Sequence, residues 1–206
     1  MRRALVTLLA VVTLLLAAGA VTAWVYVQRA SPQHDGELRL AGARDPIRIE
    51  RDAHGIPTIH ARSAHDAFFG LGVVHAQDRL WQLETHRRIG AGQLAEAFGE
   101  GALDSDRFLR ALGVRRAAAA QWAELPAPAR EALTAYADGM LGQPCQARPL
   151  EFVLLFLSPV RCPPVDSLAW AIMMAWDLGG NWAAELQRLR LAARLPVPRI
   201  VELLPP

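Results

Sequence analysis

The stretch SAHDAFFGLGVVHAQDRLWQLETHRRIGAG, from Ser63 to Gly92, decides how most of this 206-residue chain folds. Ser63 followed three residues later by Asp66 is typical of a helix amino terminus. Beyond it the pattern predicts one long helix that runs to about Arg88 and is ended by Gly90 and Gly92. Apolar residues recur along this stretch at helical spacing, at Phe69, Val73, Ala76, Leu80 and Leu83.

Two short segments with alternating apolar residues precede the long helix. Residues 47–50 (IRIE) and 56–60 (IPTIH) flank residues 52–55 (DAHG), which predict a turn. The two segments therefore predict a β-hairpin, in which Pro57 lies at an edge or at a strand start because it has no backbone N–H.

Everything beyond Gly92 is predicted to be helical or to connect helices. One hairpin followed by several helices predicts an α+β fold, mostly helical, with helices laid against a sheet whose other strands are missing from this chain. The first predicted helix begins at Asp104 or Ser105 and runs through Trp122, and the second opens at Pro126 and Pro128 and stops near Gly139. The third starts at Asp166 or Ser167 and runs through Trp176, and the fourth extends from Trp182, after a cap at Asn181, to Leu195.

The amino terminus carries a long uncharged segment. No charged residue occurs from Ala4 to Val27, and Arg2 and Arg3 precede this run. About 20 apolar residues suffice to cross a bilayer, and positive flanks favour the cytoplasmic side. We expect residues 1–30 to be a membrane anchor or a cleaved signal segment, with residues 31–206 exported to the periplasmic or extracytoplasmic side.

Composition limits the function classes. Apolar residues make up 52% of the chain, enough for a packed core, and the formal net charge is only +2. That balance offers no basic surface for nucleic acid. The two cysteines, Cys145 and Cys162, would reach an oxidising compartment and are predicted either to form a disulfide or to pack as free thiols.

Five histidines crowd into one third of the chain without a recognised metal-binding spacing. No His-Glu-x-x-His or paired-cysteine motif is present, and three of the histidines on the long helix share no single face. A histidine-dependent metal enzyme is therefore the weakest of the functional hypotheses. The five are His54, His60, His65, His75 and His86.

The long helix also carries a cluster of charged and amide side chains among apolar residues. Glu84 precedes Arg87 and Arg88 by three and four residues, a spacing that allows ion pairs within one helix. Together with Gln77, Asp78 and Arg79, these residues are interpreted either as a structural network or as direct contacts to a ligand.

Seven segments, in this order, resemble the penicillin acylase family of N-acyl-amide hydrolases. The resemblance runs from about Glu37 to the end of the chain. The segments are 51–61 (RDAHGIPTIHA), 75–84 (HAQDRLWQLE), 92–96 (GQLAE), 135–140 (AYADGM), 150–152 (LEF), 166–167 (DS) and 173–178 (MMAWDL).

The resemblance implies an amino-terminal-nucleophile hydrolase with a four-layer αββα sandwich. In that family a precursor cuts itself into two chains, and the serine that begins the second chain attacks the amide carbonyl. The family's self-cleavage motif, a Gly followed by Ser and Asn at the start of the second chain, does not occur here. No catalytic residue is therefore assigned, and the chain is predicted to be either the first chain alone or a truncated reading frame.

The resemblance also implies site residues and partners. Met174 and Leu178 correspond to residues that line the acyl pocket, and Glu185 corresponds to a ligand of a structural calcium. The competing interpretations are core packing for the first two and a surface pair with Arg188 for Glu185. The expected partners are a β chain that carries the serine and an N-acyl amide of penicillin or acyl-homoserine lactone type. The alternative is an inactive membrane-anchored fragment or binding module.

Overall fold

Helices dominate the computed structural model, which describes residues 2–141, 149–160 and 162–204. Two strands form the only sheet among these residues, so the predicted α+β class is confirmed. The elements are α1 (Arg2–Ala30), β1 (Arg48–Arg51), β2 (Pro57–His60), α2 (Ala64–Ala91), α3 (Ala95–Phe98), a 3₁₀ turn (Glu100–Ala102), α4 (Leu103–Leu112), α5 (Val114–Glu124), α6 (Ala127–Leu141), α7 (Leu150–Leu154), α8 (Pro164–Leu178), α9 (Trp182–Ala192) and α10 (Val197–Leu203).

The predicted hairpin is confirmed. Strands β1 and β2 are antiparallel, with Arg51 opposite Pro57 at the turn end. The Asp52 carboxylate closes the turn because its Oδ1 accepts the backbone N–H groups of His54 and Ile56, at 2.8 and 2.9 Å. One face of the hairpin lies on α2, where Ile59 approaches the backbone of a glycine, Gly70.

Helix α2 begins and ends as its sequence predicts. The Ser63 hydroxyl accepts the backbone N–H of Asp66 at 3.1 Å, and Gly92 ends the helix in the left-handed region, at φ 63°. The helix extends to Ala91, slightly beyond the predicted end. Its one departure from helical geometry is at Arg79, with φ −141° and ψ 26°.

Two apolar clusters flank α2. Helix α6 crosses α2 so closely that a Cβ on Gly72 would overlap the Tyr136 carbonyl and one on Gly139 would overlap the Phe69 carbonyl. The first cluster, near the hairpin, contains Phe69, Val73 and Ala135, with Leu40, Ile47 and Ile49 packed against it. The second joins α4, α5 and α8 through Leu109, Val114, Ala118, Ala169 and Met173.

The single helix predicted from Asp104 or Ser105 through Trp122 is wrong. Helix α4 begins one residue earlier, at Leu103, and ends at Leu112, and α5 starts at Val114. Gly113 separates them at φ 77° and donates its N–H to the Leu109 carbonyl, which closes α4. Apolar spacing continues across this break, so periodicity alone did not reveal it.

Two predicted caps also differ. Helix α8 starts at Pro164, and the Asp166 side chain, expected to cap it, turns into the interior toward Arg115. Asn181 does precede α9, but its side chain makes no capping hydrogen bond. The predicted helix to Leu195 is likewise too long, because α9 stops at Ala192 and a separate helix, α10, follows a turn.

Helix α1 is long and apolar enough to cross a membrane. The most apolar window of 18 residues within Arg2–Gln28 has a mean hydropathy of 2.6, and none of this window is buried against the rest of the protein. A signal sequence can be equally long and apolar, so α1 fits either a membrane anchor or a signal segment.

Candidate functional site

Helix α8 carries two of the three predicted site residues, and contacts at three of its residues fix its position. Ala169 faces Gly90 of α2, where an added Cβ would lie 3.1 Å from the Ala169 Cβ. The Trp170 ring stacks on His86, also of α2, with centroids 3.5 Å apart and planes at 6°. Met173 is buried in the second cluster. The helix therefore has a defined rotation about its axis.

Met174 and Leu178 lie toward the carboxyl end of α8, where the described part of the chain leaves them uncovered. Residues four apart share a helix face. Met174 is 47% exposed and Leu178 is 80% exposed. Neither is a core residue of the described part of this chain.

An aromatic group lies at the carboxyl end of α8. The Trp176 ring lies 5.8 Å from that of Phe108 in α4 and 6.3 Å from that of Trp182, at the start of α9. Edge and offset arrangements at these distances are favourable. They tie the end of α8 and the start of α9 to α4, across the connection Gly179–Gly180.

Glu185, the predicted calcium ligand, lies one turn into α9. Its Oε1 is 2.9 Å from Arg188 Nη1, and its side chain is largely exposed. Among the described residues no three histidine, cysteine or acidic side chains group in a way that could hold a metal ion. Glu185 can thus offer one carboxylate, and its role in binding calcium stays a prediction.

The charged cluster of α2 forms a buried network. Glu84, whose side chain is 3% exposed, accepts two hydrogen bonds from Arg87, at 2.8 and 2.9 Å, and one from Arg88 at 2.8 Å. Arg87 also donates to Gln93, and Arg88 to Glu96. The hydrogen bonds to Glu84 raise the pKa of Arg87. These contacts favour the structural interpretation of Glu84, Arg87 and Arg88.

A second polar group connects the hairpin to α2. Arg51 donates to both oxygens of Asp78, at 2.9 and 3.0 Å, and to Gln77 Oε1 at 3.1 Å. Arg79, the residue of α2 with non-helical φ and ψ, is the next residue in the chain after Asp78. Sequence spacing gave no sign of this contact, because Arg51 lies 27 residues from Asp78.

A cavity of about 120 Å³ lies between α2, α6 and α8. Asp166 lines it, and burial raises the pKa of this carboxyl, against the opposing effect of Arg115. Cys162 lines it as well, and burial raises the pKa of its thiol to about 12, so the thiol is protonated at neutral pH. Cys145, its predicted disulfide partner, lies outside the described residues.

The histidines serve separate contacts. His75 Nδ1 is 2.9 Å from the Tyr136 hydroxyl, and His60 lies 3.1 Å from Glu50. Burial lowers the pKa of both His75 and His86, which favours their neutral forms. The structure does not bring the histidines of the described segments together as a metal site.

Comparison with known proteins gives consistent matches. The sequence model of the Penicillin amidase family matches residues 46–206. Penicillin acylase 2 proenzyme of Pseudomonas sp. strain SE83 is 36% identical over 158 residues, which are 76% of this chain and 20% of that protein. Acyl-homoserine lactone acylase QuiP of Pseudomonas aeruginosa is 32% identical over 177 residues, 84% of this chain and 21% of that protein.

A solved structure is similar as well. Thermostable penicillin G acylase from Alcaligenes faecalis matches with a TM-score of 0.63 at 25% identity, over 77% of this chain and 89% of the solved chain. The chain thus spans about a fifth of the length of the curated relatives it matches, but most of this solved chain.

Proposed function

Because the chain belongs to the penicillin amidase family, we propose that it is the α-chain part of a hydrolase that cleaves the linear amide bond of N-acyl substrates. Its part in the reaction is to supply a wall for the acyl group. The substrate class is that of penicillins or acyl-homoserine lactones, the two classes in the names of the matched relatives.

The unequal coverage supports an α-chain role. The chain matches 20% of a relative named as a proenzyme, but 89% of one chain of a solved acylase. A precursor that is cut into chains accounts for both figures. The second chain, with its nucleophilic serine, is the proposed partner.

The exposed face of α8 is the observation that carries the proposed acyl-binding role. Met174 and Leu178 stay uncovered while the neighbouring Met173 is buried. Exposed apolar residues on a rigidly held helix suit a pocket wall, and the flexible thioether of methionine adapts to acyl groups of different shape.

No serine with an activated hydroxyl is assigned within the chain. Ser63 accepts a backbone N–H and donates to Asp66 Oδ2 at 2.7 Å, as a capping residue does. Ser105 and Ser167 lie in the first turns of α4 and α8. We therefore expect the chain alone to hydrolyse no amide.

Glu185 is proposed to supply one carboxylate to a structural calcium ion, whose other oxygen ligands would come from the second chain. The ion would brace α9 against the partner, and Arg188 would have to release Oε1. In the two-chain protein, Glu185→Gln should then weaken the stabilisation that added calcium gives. Unchanged calcium dependence would assign Glu185 to its surface pair.

Residues 2–28 are proposed to export the chain, either as an anchor or as a signal segment. A reporter fused after Pro206 should be active only outside the cytoplasm, and strong cytoplasmic activity would contradict export. A cleavage product that begins near Ala23 would identify a signal segment.

Hydrolysis itself is tested with and without the partner. The chain is expressed alone and together with the coding sequence found beyond Pro206, then assayed on phenylacetyl and long-chain acyl amides. Turnover only in the pair supports the proposal, whereas turnover by the chain alone refutes the division of roles. Failure of a two-chain product to hydrolyse any acyl amide would favour the inactive binding module, which the family match does not favour.

The acyl wall is tested within an active pair. Met174→Ala and Leu178→Ala should each change the ratio of kcat/KM for short and long acyl amides by at least about tenfold, because a single methylene in an apolar pocket already has an effect of that size. Leu189→Ala, an exposed leucine of α9, is the matched control. If the two α8 variants changed this ratio no more than Leu189→Ala does, α8 would not form part of the acyl pocket.

A further inference from the structure

The cavity between α2, α6 and α8 has no part in the proposed amide hydrolysis. Its lining residues on α8 lie in the amino-terminal half of that helix, whereas the exposed Met174 and Leu178 lie toward its carboxyl end. Its volume is about 120 Å³. Its lining combines a few polar groups with apolar and aromatic side chains: Leu83, His86, Arg87, Tyr136, Met140, Cys162, Asp166, Ser167 and Trp170.

Asp166 is the buried acid of this cavity, and one of its oxygens has no hydrogen-bond partner. Its side chain is 4% exposed. Oδ1 accepts from Arg115 Nε at 3.2 Å and lies 3.1 Å from Arg115 Nη2, but Oδ2 is buried and accepts nothing. A buried polar atom without a partner is costly, and few occur in folded proteins. Oδ2 therefore needs a donor.

Two of the donor groups that line the cavity are already engaged. Arg87 directs Nε and Nη2 to Glu84 and Nη1 to Gln93. The Tyr136 hydroxyl is paired with His75 at 2.9 Å. None of the described lining groups donates to Asp166 Oδ2, so this oxygen can accept from a donor that enters the cavity.

We propose that this cavity binds a small primary alkylammonium ion, whose N–H groups pair with Asp166 Oδ2. The volume sets the size, because a 150 Å³ cavity accepts benzene and 120 Å³ accordingly suits about five non-hydrogen atoms. Leu83 and Met140 offer an apolar surface for the alkyl chain. The Trp170 and Tyr136 side chains line the cavity as well.

The surrounding charges are compatible with such a cation. Glu84 and Arg87 neutralise each other in their ion pair, and burial favours a neutral His86. Arg115, which pairs with Asp166, is half exposed to solvent. Water screens its charge from the cavity more than it screens a buried ion. Burial raises the pKa of Asp166, and a bound ammonium would offset that effect.

The test uses the full chain purified in detergent, with thermal unfolding as the measurement. n-Butylammonium chloride is compared with 1-butanol, its neutral analogue, and with sodium chloride at equal ionic strength. Butylammonium should raise Tm in a saturable way, and neither control should do so. Asp166→Asn, which keeps the shape but not the charge, should weaken binding at least tenfold.

Cys162→Leu provides the second variant, because it fills the cavity and leaves Asp166 intact. It should abolish the butylammonium effect, and it decides the question if Asp166→Asn does not fold. An equal response to butanol, a full response in Asp166→Asn or Cys162→Leu, or no response of the natural chain would each overturn the proposal. None of these measurements depends on amide hydrolysis.

Discussion

Replacing Glu84 by Gln should destabilise this chain more than any change to its surface ion pairs. Glu84 is 3% exposed and accepts from Arg87 and Arg88, whose side chains are also buried. The substitution keeps the size of the side chain but leaves two buried guanidinium groups without their common counter-ion. Breaking such a pair costs about 3–5 kcal/mol.

The partners that remain limit the loss. Arg87 keeps Gln93, and Arg88 keeps Glu96, so we expect the lower half of that range, about 3–4 kcal/mol. For a domain of this size about 2–4 °C in Tm corresponds to 1 kcal/mol, so Tm should fall by roughly 6–16 °C. Urea unfolding of the full chain, followed by circular dichroism, measures the free energy directly.

Glu202→Gln is the matched control. Glu202 pairs with Arg199 at the same three-residue spacing as Glu84 with Arg87, but both partners are largely exposed. Exposed pairs contribute about 0–1 kcal/mol. If Glu84→Gln cost no more than Glu202→Gln, the α2 network would contribute nothing to folding, and a direct functional role for its charges would have to be reconsidered.

Three further predictions concern stability. Asp166→Asn should stabilise the chain at neutral pH. Because the carboxyl pKa of Asp166 is raised in the folded chain, the free energy of unfolding of the natural chain declines as pH rises above 3.8. Unfolding measured as a function of pH should not show this decline in the variant. Phe156→Gly should raise the free energy of unfolding, measured with urea, by about 0.5–1 kcal/mol. Phe156 is 96% exposed and has a left-handed φ of 53°, which glycine adopts freely. Ser63→Ala should cost about 1 kcal/mol by loss of the α2 cap, whereas Ser105→Ala, at a helix start without a side-chain cap, should be neutral; equal costs would contradict the capping role.

Local signals predicted the elements that local chemistry determines. Ser63 and Gly92 act on backbone groups within a few residues, so the bounds of α2 followed from the sequence. The hairpin followed for the same reason, since its turn depends on hydrogen bonds within residues 52–56. The predicted cap at Asp166 was wrong because an aspartate can either cap a helix or pair with a cation in the interior. Its partner, Arg115, is 51 residues away, so local sequence did not reveal the pair.

The candidate site shows the same division. Apolar spacing in residues 173–178 could not tell which methionine faces the core, because adjacent helical residues point about 100° apart and both are apolar. The rotation of α8 is fixed instead by contacts with α2 that no local pattern records, at Ala169 and Trp170.

This arrangement separates the residues that hold α8 from those that the proposed substrate would meet. Truncating buried Met173 would cost about 2–5 kcal/mol, since it leaves a cavity in the second cluster. Met174 and Leu178 bury little within the chain, so other side chains at these two positions cost the fold little. Under the proposed acyl-binding role, a change of acyl preference at these two positions therefore requires no compensating change in the core of this chain.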